Sequence, residues 1–233
     1  MTNLRHEIYG ALLALSAGLA ACSSQPKPAD WQLESKSASD RAVSAYLKGQ
    51  QRVAEVEWGK AFQEVAATGQ PGAMARMALL ECAAQTAALE LGDCPRYQRY
   101  ATGAAAAEQA YARYLQGQHG AADVALLPSA QQAVAQQLLS ASPRIESLPQ
   151  AAALSQLTAA GVALRAGALG LDGVRQAVQI ASEQGWRRGG MAWLLVEQRW
   201  AVQAGDAAAA QAIALRLQVL QEGQRQDGVD LKK

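Results

Sequence analysis

Aromatic residues make up only 5% of the 233-residue chain, with a single phenylalanine, and charged residues only 18%. β-Branched residues are sparse, which excludes an all-β fold and leaves little material for a large sheet. The formal net charge is +1, so there is no broad basic footprint for nucleic acid, whose binding depends on neutralising phosphates. Histidine occurs twice and cysteine three times. After the first two dozen residues only His119 remains, in the turn Gly117-Gln118-His119-Gly120. It has no cysteine or carboxylate cluster beside it in sequence, so it is expected at the surface and not in a metal site or a triad. No P-loop, G-x-S-x-G or HExxH pattern occurs. No catalytic residue, metal ligand or cofactor is therefore assigned.

What the chain does have is alanine and glutamine, 53 and 27 residues respectively. Alanine is the best helix former and glutamine ranks well, while a hydrophobic fraction of 50% is too high for a disordered chain. The expectation is an all-α fold of about 8–10 helices, argued from 3.6-residue periodicity. Helices are predicted over 37–48, 51–67, 73–90, 104–115, 121–140 with an interruption at Pro128, 150–166, 171–183, 190–204 and 206–221. Gly49 and the stretch Thr68-Gly69-Gln70-Pro71-Gly72 are stop signals, and Asp206 is an N-cap candidate. The polar tail 223–233 is expected to fray.

The first residues read as a targeting segment. Arg5 supplies a short positive region, and 8–21 is uncharged and apolar but too short to span a bilayer comfortably. It ends in Leu19-Ala20-Ala21-Cys22, which resembles the lipobox of bacterial lipoprotein signal peptides. The resemblance implies a diacylglycerol thioether on the Cys22 thiol, cleavage before Cys22 and acylation of the new amino group. Several acyl chains anchor stably where one does not. Ser23 stands where an aspartate would favour inner-membrane retention, so the resemblance implies the periplasmic face of the outer membrane. The other reading is an ordinary secretory signal with a chance cysteine. Residues 22–30, polar with two prolines, read as a tether, and 31–222 as the helical domain.

With Cys22 lipidated, Cys82 and Cys94 remain as an even pair in an oxidising compartment. A disulfide requires their Cα atoms within about 5.5–6 Å. The third helix must then end near Leu89 or Glu90, with Leu91-Gly92-Asp93 turning back. Two free thiols are the alternative.

Internal repetition is visible. Ala45-Tyr46-Leu47-Lys48-Gly49-Gln50 recurs as Arg113-Tyr114-Leu115-Gln116-Gly117-Gln118, and Gly170 and Gly205 each separate two Ala/Leu-rich segments. Here the sequence resembles the tetratricopeptide-repeat family, at Tyr46, Gly49, Ala54, Phe62 and Ala66 and again at Trp200, Gly205, Ala208 and Ala212. The resemblance implies antiparallel helical hairpins stacked as an α-solenoid, although the middle of the chain breaks the period. Trp31, Trp58, Phe62, Trp186, Trp193 and Trp200 are the large side chains expected to fill space between alanine-rich helices.

The turn Trp186-Arg187-Arg188 is a possible partner-binding element, where the cations would meet a carboxylate or phosphate. An enzymatic alternative rests on Glu146-Ser147 and Gly167-Ala168-Leu169-Gly170-Leu171, which resemble parts of the lytic transglycosylase motifs. The spacing is too long, and Asp172-Gly173 replaces the expected residues. The leading expectation is a non-catalytic lipoprotein that touches the membrane through Cys22 and binds another envelope protein. A periplasmic structural or ligand-binding protein without a repeat groove is a third reading.

Overall fold

Good helix formers fill the chain so densely that helix persists wherever glycine or proline does not stop it. The structure, a computed structural model, describes residues 28–230. The expected signal segment, Cys22 and most of the tether lie outside the described residues. The elements are α1 (Asp30–Leu47), α2 (Gln51–Ala66), α3 (Pro71–Ala87), α4 (Pro95–Gln98), α5 (Ala106–Leu115) and α6 (Ala121–Val124). They continue with α7 (Ser129–Leu138), α8 (Ala153–Arg165), α9 (Leu171–Glu183), α10 (Arg187–Gln203) and α11 (Ala207–Asp230). The fold is all-α; among the described residues the sole β-type pairing is an isolated bridge between Ile145 and Leu169. The single-turn helix α4 is the one that periodicity does not reveal, while α6 and α7 are the two parts of the expected 121–140 helix on either side of Pro128.

Helix ends follow local chemistry. Gly49, at φ +80°, closes α1. Its N–H donates to the Tyr46 carbonyl at 2.9 Å and the Gln50 N–H to the Ala45 carbonyl at 2.8 Å, the paired bonds of a Schellman cap. The repeated segment behaves identically: Gly117 N–H donates to Tyr114 at 2.9 Å and Gln118 N–H to Arg113 at 2.8 Å. Asp206 caps α11, its Oδ1 accepting from the Ala209 N–H at 2.9 Å. Pro128 separates α6 from α7, as its ring and missing N–H require.

Several boundaries differ from expectation by two residues or more, and three of them have a clear physical reason. Helix α1 starts at Asp30 and not at Ser37, because nothing between Pro28 and Gly49 breaks a helix and Asp30 suits a first turn. Helix α11 runs on to Asp230 through Gly223 and Gly228, where frayed tail was expected; each glycine costs only about 1 kcal/mol among good helix formers. Helix α3 ends at Ala87, ahead of the expected Leu89 or Glu90, because Leu89 itself adopts φ +61°. The early stop lets the chain double back. Cys82 and Cys94 form a disulfide, S–S 1.98 Å with Cα atoms 5.4 Å apart.

Helix α3 is central, packed against α2, α5 and α8. At the α3–α8 crossing both partners present small residues: Ala83, Ala84 and Ala87 on α3, Ala159, Ala160 and Ala163 on α8, all buried. The approach is closest at Gly161, where an added Cβ would lie 2.4 Å from the Thr86 carbonyl oxygen. Thr158 Oγ1 donates across the same interface to the Ala83 carbonyl at 3.2 Å. Trp193 is fully buried, and its indole N–H donates to the Ala87 carbonyl at 3.0 Å, tying α10 to the end of α3. Trp58, Phe62 and Trp186 are buried as well, while Trp31 and Trp200 pack against the core from its edge. Helices α8 to α11 pack each on the next. The α3–α8 contact joins segments far apart in sequence, so stacking of neighbours alone does not describe the interior. Ala54 is buried in the first hairpin, whereas Ala208 and Ala212 are exposed in the last, where no further hairpin covers them.

Candidate binding cleft

A cleft of about 730 Å³ opens between α1, α3, α5 and the segment 126–128. Its origin is a mismatch of side-chain size. Helix α1 contributes Ser35 and Ser39, whose hydroxyls turn back to the Gln32 carbonyl at 3.3 Å and the Lys36 carbonyl at 2.9 Å. Opposite them stand Met77 and Leu80 of α3, Tyr111 of α5, and Leu126. Small residues facing large ones leave space unfilled, and Trp31 closes one edge. Most of the lining is apolar, as ligand and peptide clefts are.

The charged side chains around it are already paired. At the rim Arg76 bridges Glu108 at 2.7 Å, the arginine exposed and the glutamate nearly buried. Lys36, also in the lining, pairs with Asp40 at 2.6 Å. Beneath the apolar surface lies Gln131, 1% exposed. It accepts from the Tyr114 hydroxyl at 2.8 Å and donates to the Ser155 carbonyl at 3.0 Å. A buried glutamine leaves no mark in a helical pattern otherwise rich in glutamine, so sequence reasoning missed it. The cleft was missed too; its one sequence signal is the pair Ser35 and Ser39, small and polar where a helix would ordinarily present its core residues.

The residues singled out from sequence lie elsewhere. Trp186, a possible partner-binding residue, is only 9% exposed and belongs to the core, so its ring is not presented to a partner. The reason is local: it precedes α10 as its cap, with its N–H held by the Ala181 carbonyl at 2.9 Å. Arg188 is a structural clamp. Its guanidinium stacks on the Tyr46 ring at 4.2 Å, donates to Gln51 Oε1 at 2.8 Å and pairs with Glu90 at 3.3 Å. It thereby joins α10 to α1, α2 and the end of α3. Arg187 is half-buried at the start of α10.

His119 is not the surface residue expected. Its turn folds back so that the imidazole meets Tyr114 edge-on at 5.3 Å, with Nε2 3.0 Å from the Ala135 carbonyl oxygen. Glu146 lies in the segment between α7 and α8, ion-paired with Arg144 and resting against Gly170. Beside His119, Asp123 is buried and held by Arg113, whose Nε donates at 2.9 Å, and by the Gly120 N–H at 3.0 Å. Hydrogen bonding from Arg113, and then from Gly120, lowers its pKa to about 2. Among the described residues no three histidine, cysteine or carboxylate side chains converge as a metal site, and no helix is long and apolar enough to cross a membrane.

No protein-family model, curated protein or solved structure matches the chain.

Proposed function

We propose that the protein is a non-catalytic lipoprotein of the outer membrane, anchored through Cys22 at the periplasmic face, that binds an apolar segment of another envelope protein. The observation that carries the binding half is the cleft: about 730 Å³, mostly apolar, open to solvent, with its rim charges already paired. Each large apolar side chain that a partner buries there contributes about 1.5–3 kcal/mol. The neutralised rim favours an uncharged stretch, the kind of face an amphipathic helix lays into a groove. The anchoring half rests on Leu19-Ala20-Ala21-Cys22 and on a Cys82–Cys94 disulfide suited to an oxidising compartment. Identical turns at Gly49 and Gly117 support reading the hairpins as a degenerate tetratricopeptide-like array.

Crosslinking from intact membranes tests the reading with three variants. Leu126→Glu places a charge in the cleft at a residue already 43% exposed, so the fold is kept. It should abolish the crosslinked species, whereas Leu195→Glu, on an exposed leucine outside the cleft, should retain it. Cys22→Ser should move the protein out of the membrane fraction. Unchanged crosslinking by Leu126→Glu sinks the cleft, and a Cys22 without lipid sinks the anchor. Murein cleavage that disappears in Glu146→Gln would replace the binding reading with the enzymatic one.

A further inference from the structure

Helix α11 is apolar on two faces. Ile213 and Leu217 are buried against the rest of the fold, and Leu220 packs on the same side. Round the helix from them Ala208, Ala212, Leu215 and Val219 are all exposed, the last two at 62% and 59%. Their spacing of four, three and four residues sets them in one row about 17 Å long. Apolar residues exposed singly are ordinary. A row of four on a helix whose other face is core is not, because a helix covered once carries polar residues on its outer side. In a stack of hairpins that polar face is required of the terminal helix. Helix α11, the last of the described helices, presents the apolar row instead.

The row is also uncharged. Between Ala207 and Gly223 the only charged residues are Arg216 and Glu222. Arg216 donates to the Ser182 hydroxyl of α9 at 3.4 Å, and Glu222 accepts from the Gln218 amide at 2.9 Å. The cleft between α1, α3 and α5 has the matching character. It is mostly apolar and open, with Arg76 and Lys36 held by Glu108 and Asp40. The chain thus carries an unfilled apolar groove in its first helices and an uncovered apolar face on α11. Within one copy the two do not meet, since the row stays exposed while α11 packs on α10.

We propose that α11 of one copy lays this row into the cleft of a second copy. Anchors at i, i+4, i+7 and i+11 are how an amphipathic helix engages a groove. Leu215 and Val219 have the bulk to fill the space that Ser35 and Ser39 leave, and Ala208 and Ala212 admit the helix closely. No charge is stranded on either side, so the desolvation cost is small. The contact is heterologous: each pair keeps one free groove and one free helix, so copies join head to tail and not as a two-fold dimer. The inference rests on the cleft being a groove for an uncharged apolar helix, as proposed above, and adds its regulation. A copy whose cleft holds α11 is closed to the envelope partner, which must displace the helix to bind.

Cys82 and Cys94 are bridged, so an introduced thiol can report contacts between full-length copies in intact membranes. Two differently tagged copies are expressed together and oxidised. One carries Leu126→Cys in the cleft; the other carries Ala208→Cys, Ala212→Cys, Leu215→Cys or Val219→Cys in turn. Copies without an introduced cysteine control for Cys22. The expected result is a disulfide-linked pair that requires both cysteines and forms with neither alone. Adding Leu215→Glu to the Ala212→Cys copy should cut that pair by about tenfold or more, while crosslinking to the envelope partner, which uses the intact cleft, is kept. A pair formed by the α11 cysteine alone would show two-fold pairing of α11 and overturn the head-to-tail contact. No mixed pair at any of the four positions overturns self-association altogether. Loss of the envelope partner in Leu126→Glu would then still uphold the cleft, so the two readings fail separately.

Discussion

Asp123 shows how one side chain carries information that composition does not. Its carboxylate holds α6 to α5 through Arg113, and hydrogen bonding keeps its pKa near about 2, below the usual carboxylate value. A carboxyl depressed in the folded state stabilises the protein above its unfolded pKa, about 3.9. That contribution is lost as the pH falls through the folded value. Wild type should therefore lose stability between about pH 4 and pH 2 from this group, and Asp123→Asn should lack that portion. Urea unfolding midpoints of the two proteins across that window measure it; parallel curves would contradict the assignment. Gln131 and His119 belong to the same scale. Both are polar residues in an Ala/Gln-rich chain, and only their neighbours decide that one is buried and the other packed on Tyr114.

At the scale of elements, the same substitution should have opposite signs at two helical glycines. Gly59→Ala meets open space and gains helix propensity. Gly161→Ala puts a methyl 2.4 Å from the Thr86 carbonyl oxygen, in a crossing where backbone faces backbone. The helices must separate, and overpacking of this kind costs about 1–3 kcal/mol, more than the propensity gain of about 1 kcal/mol at the upper end of that range. Gly161→Ala should lower Tm by several degrees, read by thermal circular dichroism beside Gly59→Ala. Equal shifts in the two would mean that the α3–α8 crossing relaxes freely. Both glycines look alike in the sequence, each inside an alanine-rich helical segment. Which one is load and which is space depends on what lies across from it.

For the molecule as a whole, the Cys82–Cys94 disulfide links stability to compartment. It closes a loop with a sequence separation of 12, for which chain entropy gives about 3 kcal/mol. Reduction should lower Tm by about 6–12 °C, while the Cys82→Ala/Cys94→Ala double variant should ignore reductant. A reductant-insensitive wild type would show that the bridge contributes nothing to the folded state. The effect centres on α3, the helix on which α2, α5 and α8 all pack, so loosening its C-terminal end reaches most of the core.

Residue order alone determined the helical class, most helix boundaries and the glycine and proline stops, and it offered the Cys82–Cys94 bridge beside two free thiols, a choice that the structure makes. These follow from local propensity, capping and chain reach, which act over a few residues. The tertiary structure decided which faces became interior. Trp186, expected both as a space-filling side chain and in a possible partner-binding turn, is core; Arg188 of the same turn clamps Tyr46, Gln51 and Glu90; the α1–α3–α5 cleft has almost no signature at all. In a chain where alanine and glutamine occupy both buried and exposed positions, hydrophobic contrast between faces is weak, so local pattern cannot say which side of a helix will be covered. That is settled only when α3 finds α8, some seventy residues on.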